Sequence, residues 1–133
     1  MNIVVDTNVL VAGLINPFGP PGRLIDLILS DEVTLHFDDR IIAEYRAVLA
    51  RPRFGFDQYK ISHLLDYILA EGIPVITVPI SVSLADEDDR PFMECAVLNC
   101  VDCLVTGNTK HFPVQPGLVI CTPSDFIAKW LLR

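Results

Sequence analysis

The chain has 133 residues, a formal net charge of −7 and an apolar fraction of 51%. This length fits one domain over residues 1–133 and is too short for two cores of ordinary size. No apolar run approaches the roughly 18 residues that cross a bilayer, and the N-terminus lacks a secretory signal, so we expect a cytoplasmic protein with no membrane contact. The acidity argues against passive nucleic-acid binding through surface Lys and Arg, unless divalent cations neutralise a local group of carboxylates.

The first half of the chain alternates strand-like and helical patterns. The opening apolar run stops abruptly at Asp6, Thr7 and Asn8. We expect, in order, a strand ending at residue 6, a short helix over 9–15, a loop over 16–22, a helix over 23–30, a strand over 33–37 and a helix to about residue 50. Asp38 or Asp39 is expected to cap the last of these helices.

The second half continues the alternation around one strongly acidic segment, residues 86–89. We expect a basic and aromatic connector over 51–56, a helix over 59–70, a strand over 74–78, a helix over 90–99, and strands over 103–106 and 118–121. Gly72 ends the first of these helices, and Thr122 begins a capping box that introduces a final amphipathic helix.

Short strands alternating with helices predict an α/β fold, with three α/β/α layers and a central parallel sheet. In such a sheet the functional site lies beyond the carboxyl ends of the strands. Three polar groups occupy positions compatible with that edge: residues 6–8 after the first strand, residues 86–89 before a helix, and residues 106–108 after the fourth strand. We therefore expect these three groups to converge.

Carboxylates at this edge indicate divalent metal chemistry. Mg²⁺ and Mn²⁺ prefer carboxylate oxygen and water, and they leave coordination positions for a substrate phosphate. A metal-activated water can attack phosphorus without a nucleophilic side chain. The chain contains no Gly-x-Ser-x-Gly elbow, Walker A loop or dinucleotide fingerprint that would favour other chemistry. The alternative is that these carboxylates only cap helices or lie in solvent.

The cysteines allow a second kind of metal site. The four are Cys95, Cys100, Cys103 and Cys121, with His111 between the last two. A zinc site would need three or four of these ligands, but a second C-x-x-C pair is missing. We therefore favour reduced cysteines that pack as small apolar residues, two of them inside strands.

Three stretches together resemble the successive motifs of a PIN domain. They are IVVDTNVLVAGL from residue 3, DDRIIAEYRAVLARPRF from residue 38 and DEDDRPFMECAVLNCVDCLVTGNTKHF from residue 86, and they cover nearly the whole chain. Within that family the chain is most similar to the toxin components of bacterial toxin–antitoxin systems, the VapC-like ribonucleases. The resemblance implies a PIN-like α/β/α fold and metal-dependent hydrolysis of RNA phosphodiesters.

The resemblance also implies roles for individual carboxylates. Asp6, Glu44 and Asp89 match the three acidic positions of the family, so they are expected to bind Mg²⁺ or Mn²⁺ and to carry catalysis. Asp86 and Asp88 are neighbouring candidates, and Asp86 is the more favoured auxiliary acid. From the residues alone, each member of this acidic run can equally cap the following helix or remain solvated.

Three uncharged polar residues match second-tier positions around the same site. Thr7 and Asn8 can orient Asp6 or a metal-bound water, or they can simply cap the next helix. The fourth family position is often aspartate, and here it is Asn108. An amide oxygen can bind a cation or a water but contributes no charge, so this departure bears on a second metal ion and on catalytic strength.

The leading expectation is an endoribonuclease that is the toxin of a type II toxin–antitoxin pair, with RNA as substrate, a cognate antitoxin as partner and a homodimer as its assembly. One alternative is a catalytically weak RNA-binding or protein-interaction module on the same fold, and another is a metal-dependent phosphatase or DNA nuclease on a related fold. The candidate phosphate and base contacts are Arg23, Arg51, Arg53, Arg90, Lys110, Phe54, Phe56, Tyr59 and His111.

Overall fold

The structure is a computed structural model that describes residues 1–99 and 101–132. These residues contain five strands, β1 (Asn2–Val5), β2 (Thr34–Phe37), β3 (Ile73–Pro74), β4 (Cys103–Val105) and β5 (Ile120–Cys121). All neighbours pair in parallel, in the order β3-β2-β1-β4-β5. The first strand therefore lies in the middle of the sheet, between β2 and β4.

Six α-helices cover this sheet in the described residues. They are α1 (Thr7–Ile15), α2 (Pro20–Leu29), α3 (Asp39–Leu49), α4 (Gln58–Glu71), α5 (Arg90–Leu98) and α6 (Pro123–Leu132). Helix α5 packs on β1, β2 and β4 with α3 beside it, while α1, α2 and α6 pack against one another. The prediction of a three-layer α/β/α fold with a parallel sheet is confirmed.

Local capping explains where several helices begin. The carboxylate of Asp38 accepts a hydrogen bond from the amide of Ile41 at 3.0 Å, so Asp38 rather than Asp39 caps α3. The Thr122 hydroxyl accepts one from the amide of Asp125 at 3.1 Å, which confirms the predicted cap of α6. Each bond satisfies a backbone donor that the first helical turn leaves without a partner.

The central strands are buried on both faces. Ile3, Val4 and Val5 of β1 and Leu104 and Val105 of β4 are each 0% exposed. A parallel sheet covered by helices on both faces requires such continuous apolar strands. This burial accounts for much of the high apolar content of a short chain.

The largest errors in the predicted boundaries are at α2 and β3. Helix α2 begins at Pro20 instead of Arg23, because proline already has the backbone angle of a first helical turn. Its start lies close to the preceding loop, since a Cβ on Gly22 would stand 2.2 Å from the Pro17 carbonyl oxygen. Strand β3 covers only residues 73–74 instead of 74–78, because its partner β2 ends at Phe37 and leaves later residues without a neighbouring strand.

The extended segment after β3 is held by a buried carboxylate. Glu94 on α5 is 2% exposed and accepts hydrogen bonds from Arg40 at 2.8 Å and from the amide of Ile80 at 3.1 Å. Arg90 donates to the carbonyl oxygens of Ile80 at 3.0 Å and Val82 at 2.8 Å. These contacts fix the path of the chain into the acidic run at 86–89.

Cys103 and Cys121 form a disulfide between the neighbouring strands β4 and β5. The expectation that all the cysteines are reduced was wrong for this pair. Sequence spacing alone does not reveal that these two strands are neighbours. Cys95 is a free, buried thiol, and Cys100 lies outside the described residues.

Across residues 1–99 and 101–132, none of the helices combines the length and the apolar character needed to cross a bilayer.

Candidate metal site

The site lies where the order of the sheet changes direction. From β1 the chain continues to β2 on one side, and after β3 it crosses to β4 on the other side of β1. Asp6 follows β1 directly, and its amide donates to the Val105 carbonyl at the end of β4 at 2.9 Å. Such a point in a parallel sheet leaves a crevice at the carboxyl ends of the strands, where ligands bind.

Asp6 is directed into this crevice. It is 7% exposed, and its Oδ2 accepts a hydrogen bond from the Thr106 hydroxyl at 2.8 Å. Asp6 is also the N-cap residue of α1, and hydrogen bonds from the backbone amides of Thr7 and Asn8 lower its pKa, so the carboxylate faces both the first turn of this helix and the crevice. Burial raises the pKa of Asp6, and the hydrogen bond from Thr106 opposes that rise.

Thr106 belongs to the predicted polar group 106–108, but sequence reasoning assigned it no role of its own. Its side chain is 0% exposed, and its hydroxyl accepts a hydrogen bond from the amide of Asn108 at 3.0 Å while it donates to Asp6. One hydroxyl therefore joins the end of β1 to the turn after β4. The sequence feature that indicates such a role is the position of Thr106 directly after an apolar strand, within the polar group 106–108.

Glu44 reaches the same crevice from α3. The Thr7 hydroxyl donates a short hydrogen bond to Glu44 Oε2. Burial is the largest cause that raises the pKa of Glu44, and the negative charges of Asp6 and Asp88 add to it, while the bond from Thr7 lowers it. The structure thus brings this mid-chain carboxylate within electrostatic range of Asp6.

Asn8 connects α1 to the opposite side of the crevice. Its Oδ1 accepts a hydrogen bond from the amide of Gly107 at 3.3 Å. Thr7 and Asn8 therefore contact Glu44 and the turn after β4 instead of closing the first turn of their own helix.

Asp89 brings a third carboxylate to the crevice from the residue before α5. Its Oδ2 is buried and has no hydrogen-bond partner, and Nδ1 of the His111 ring lies 3.8 Å away. Burial first, and then the charges of Asp6, Asp86 and Glu44, raise the pKa of Asp89 to about 6. A partnerless carboxylate oxygen beside two other carboxylates is an arrangement that a cation stabilises.

The other two acids of the run have different surroundings. Asp86 is exposed, and its Oδ1 accepts a hydrogen bond from the amide of Asp88 at 3.0 Å, so it shapes the 3₁₀ turn that leads into α5. Asp88 is also exposed and acts on Glu44 through its charge. Of the three aspartates, Asp89 is the one that is turned inward.

The fourth position combines an amide with an imidazole. Asn108 is exposed, and its Nδ2 lies 3.2 Å and 3.1 Å from the two ring nitrogens of His111. The imidazole thereby stands between Asn108 and Asp89. His111 is close enough to the crevice to lower the pKa of both Asp6 and Asp89 when it carries a charge.

The carboxylates of Asp6, Glu44 and Asp89 suit a hard divalent cation, although they do not yet form a complete set of metal ligands. Among the described residues, no three His, Cys, Asp or Glu side chains already stand in an arrangement that would hold a metal. The buried, partnerless oxygen of Asp89 and the mutual repulsion of Asp6, Glu44 and Asp89 nevertheless fit Mg²⁺ or Mn²⁺, which prefer carboxylates. The described cysteines and histidines, which do not include Cys100, form no zinc cluster either.

The basic and aromatic candidates are distributed unevenly. Arg51 lies within electrostatic range of the site, since its charge lowers the pKa of Glu44. Arg90 is engaged with backbone carbonyls and Glu87, so it serves the segment before the acidic run. Arg53 lies 4.9 Å over the ring of Phe54, which stacks on Phe56, the ring centroids being 5.3 Å apart.

Comparison with known proteins places this geometry in context. The family model described as PIN domain matches residues 2–110. The chain is 29% identical to an uncharacterised protein of Methanocaldococcus jannaschii, over 98% of this chain and 92% of that one. It also resembles the crystal structure of VapBC2 from Rickettsia felis bound to a promoter DNA fragment, with a TM-score of 0.53 and 14% identity over 92% of this chain and 98% of that chain. PIN domains are generally nucleases. Because the family model covers most of the chain and includes the turn at Asn108, the chain belongs to the PIN domain family.

Proposed function

We propose that the protein is an Mg²⁺- or Mn²⁺-dependent endoribonuclease in which Asp6, Glu44 and Asp89 bind the metal and carry catalysis. The observation that supports this most directly is the buried Asp89 oxygen without a partner, next to two further carboxylates that raise its pKa. A bound divalent cation would supply charge neutralisation, polarise a phosphoryl oxygen and lower the pKa of a water nucleophile.

The other site residues would position these three acids. Thr106 and Thr7 hold the carboxylates of Asp6 and Glu44 through hydroxyl donors. Asp86 shapes the turn before Asp89, and Asn8 holds the turn at Gly107. The amide of Asn108 would bind a water or a substrate oxygen without adding charge, which favours one firmly held ion over two.

The function is tested by Asp6→Asn, with Asp66→Asn on the exposed face of α4 as the matched control. We expect Mn²⁺-dependent cleavage of a mixed-sequence RNA by the wild type and by Asp66→Asn. The Asp6→Asn variant should lose more than the roughly 100-fold that outer-shell partners of a metal typically contribute. Cleavage by folded Asp6→Asn at the wild-type rate would contradict the assignment.

We further propose that this nuclease is the toxin of a toxin–antitoxin pair, acting in the cytoplasm as one domain over residues 1–133. The similarity of the fold to VapBC2, a complex that was crystallised with a fragment of its promoter DNA, motivates this proposal and implies an antitoxin partner. Induced expression of the wild type should arrest growth of a bacterial host, and Asp6→Asn should not. Equal growth of the two strains, at equal protein levels, would count against a toxin.

We also propose that the protein forms a homodimer. Several large apolar side chains are strongly exposed, including Phe18 at 91%, Ile76 at 95% and Val114 at 92%. Apolar surface on this scale favours association. Sedimentation equilibrium of the purified protein would show a mass of twice 14.8 kDa if the dimer forms.

The second candidate function is a PIN fold that binds RNA or protein with weak catalysis or none. Two observations favour it: the uncharged Asn108 at the fourth position, and the absence of a closed set of metal ligands among the described residues. Saturable Mn²⁺ binding that is lost in Asp6→Asn and in Asp89→Asn would support the nuclease. Lack of any saturable binding would support the alternative.

A further inference from the structure

A groove adjoins the carboxylate crevice without being part of it. It has a volume of about 520 Å³, within the roughly 300–1,000 Å³ typical of small-molecule sites. Asn8 and Asn108 line it on the side of the crevice, and Pro21, Pro123 and Ser124 line it further away, where α2 and α6 begin. The groove therefore continues the crevice across the carboxyl edge of the sheet.

The chemistry of the walls differs sharply from that of the crevice. The described residues that line the groove carry no charged side chain, although the protein has a net charge of −7. Because Arg and Lys supply most of the affinity for phosphate groups, a lining that contains neither favours an uncharged ligand over a phosphate. It suits an uncharged, flat ligand with hydrogen-bonding edges.

Two amides and a hydroxyl face this space. Asn8 uses its Oδ1 to accept from Gly107, which leaves its amide hydrogens available to donate. Asn108 directs its nitrogen towards His111, which leaves its carbonyl oxygen available to accept. A donor and an acceptor at one end of a groove, with proline rings and the Ala12 methyl along it, match the edge and face of a nucleobase.

We propose that this groove binds the base and ribose of the nucleotide next to the cleaved phosphodiester, an inference that rests on the proposed ribonuclease function. It assigns Asn8, Asn108 and Ser124 to recognition of the base and Ala12, Pro21 and Pro123 to packing against it. The phosphate itself belongs to the neighbouring carboxylate crevice with its bound cation. A protein segment is the less suitable occupant, because the walls offer paired amides instead of a deep apolar pocket.

The test uses uncharged nucleosides, so that neither metal nor phosphate contributes to binding. Adenosine, guanosine, cytidine and uridine are titrated into the metal-free full-length protein, and amide shifts are followed by NMR. We expect saturable shifts at Asn8, Ala12 and Asn108 for at least one nucleoside, with little dependence on salt concentration, since no counterions are released.

Ala12→Phe tests the location of this binding, because Ala12 is exposed and a phenyl ring there would fill the groove. The matched control is Ala70→Phe, the same change at an exposed position of α4 outside the groove. Ala12→Phe should weaken nucleoside binding roughly tenfold or more, or about 1.4 kcal/mol, because the phenyl ring occupies the space of the base, and Ala70→Phe should not. Thermal melting of both variants verifies that they are folded.

The outcomes separate this inference from the proposed function. Nucleosides that shift no groove resonance, or that bind folded Ala12→Phe as tightly as wild type, overturn the groove assignment even if RNA is cleaved. Nucleoside binding that Ala12→Phe abolishes supports the assignment even if cleavage is not found, and in that case the ribonuclease proposal is the one that fails. In a cleaving protein, Ala12→Phe should also raise KM and change the base preference beside the cut, with Mn²⁺ affinity unchanged.

Discussion

Asp89 is expected to destabilise the metal-free protein at neutral pH. Its folded-state pKa of about 6 lies above the ordinary value of 3.8 because of burial and the neighbouring carboxylates. The folded state therefore binds the Asp89 proton more tightly than the unfolded state does. The resulting cost is present in full above about pH 6 and disappears as the pH falls towards the unfolded pKa. Asp89→Asn, which keeps the shape and removes the charge, should therefore stabilise the apoprotein.

The size of this effect follows from the shift. About two pH units at roughly 1.4 kcal/mol per unit set an upper limit near 3 kcal/mol. The Asp89 side chain is 14% exposed, so solvent screens part of the repulsion and we expect a gain of about 1–2 kcal/mol at pH 7.5. The Asp89→Asn change should break no hydrogen bond at Oδ2, because this oxygen has no hydrogen-bond partner in the wild type.

The measurement is urea unfolding of the wild type, Asp89→Asn and the exposed control Asp66→Asn in EDTA, between pH 7.5 and pH 5. The advantage of Asp89→Asn should be largest at pH 7.5 and shrink as the pH falls below 6. With Mn²⁺ at about 100 times its Kd, the wild type should gain roughly 2.7 kcal/mol and the variant much less. An Asp89→Asn variant that is no more stable than wild type at pH 7.5, or whose advantage grows towards pH 5, would refute the electrostatic account.

Two further predictions concern buried polar side chains. Thr106→Val removes the hydroxyl that donates to Asp6, so it should lower the free energy of unfolding by about 1.5–3 kcal/mol and raise the pKa of Asp6 further. Thr106→Ser keeps a hydroxyl and should leave both quantities near their wild-type values. Equal urea midpoints for the wild type and both variants would contradict this role of Thr106. His36 is buried, both of its ring nitrogens lack a hydrogen-bond partner in the described structure, and burial lowers its pKa. Because the unfolded state then binds a proton at His36 more readily than the folded state, wild-type stability should fall as the pH drops below about 6.5. His36→Leu should become progressively more stable relative to wild type from pH 7.5 to pH 5, and a constant difference between the two would show that His36 does not titrate on unfolding.

The sequence by itself determined the class of fold and the position of Asp6 at the end of a buried strand, while the role of Asp6 as a metal ligand was implied by the family resemblance. Apolar runs such as residues 3–5 and 103–105 are long enough for strands buried on both faces, and the helices between them require parallel pairing. Asp6 could be identified because it directly ends such a strand, which is a local property of the chain. Glu44, Asp89 and Asn108 were indicated by their order and by the family resemblance, and the structure places Glu44 and Asp89 beside Asp6.

Only the tertiary structure decided which members of each polar group face the crevice. Asp86, Asp88 and Asp89 are equivalent by composition, and the 3₁₀ turn before α5 is what leaves Asp86 and Asp88 exposed and directs Asp89 inward. The hydrogen bond from Thr106 to Asp6 joins residues 100 positions apart.

The same dependence on distant contacts explains the remaining differences. Strand β3 is short because β2 ends at Phe37, and Cys103 meets Cys121 because β4 and β5 are neighbours. The groove beside the crevice exists because α1, α2, the turn after β4 and α6 begin at one edge of the sheet. Periodicity and capping are set by residues a few positions apart, whereas a site of this kind depends on which strand ends become neighbours once the core has packed.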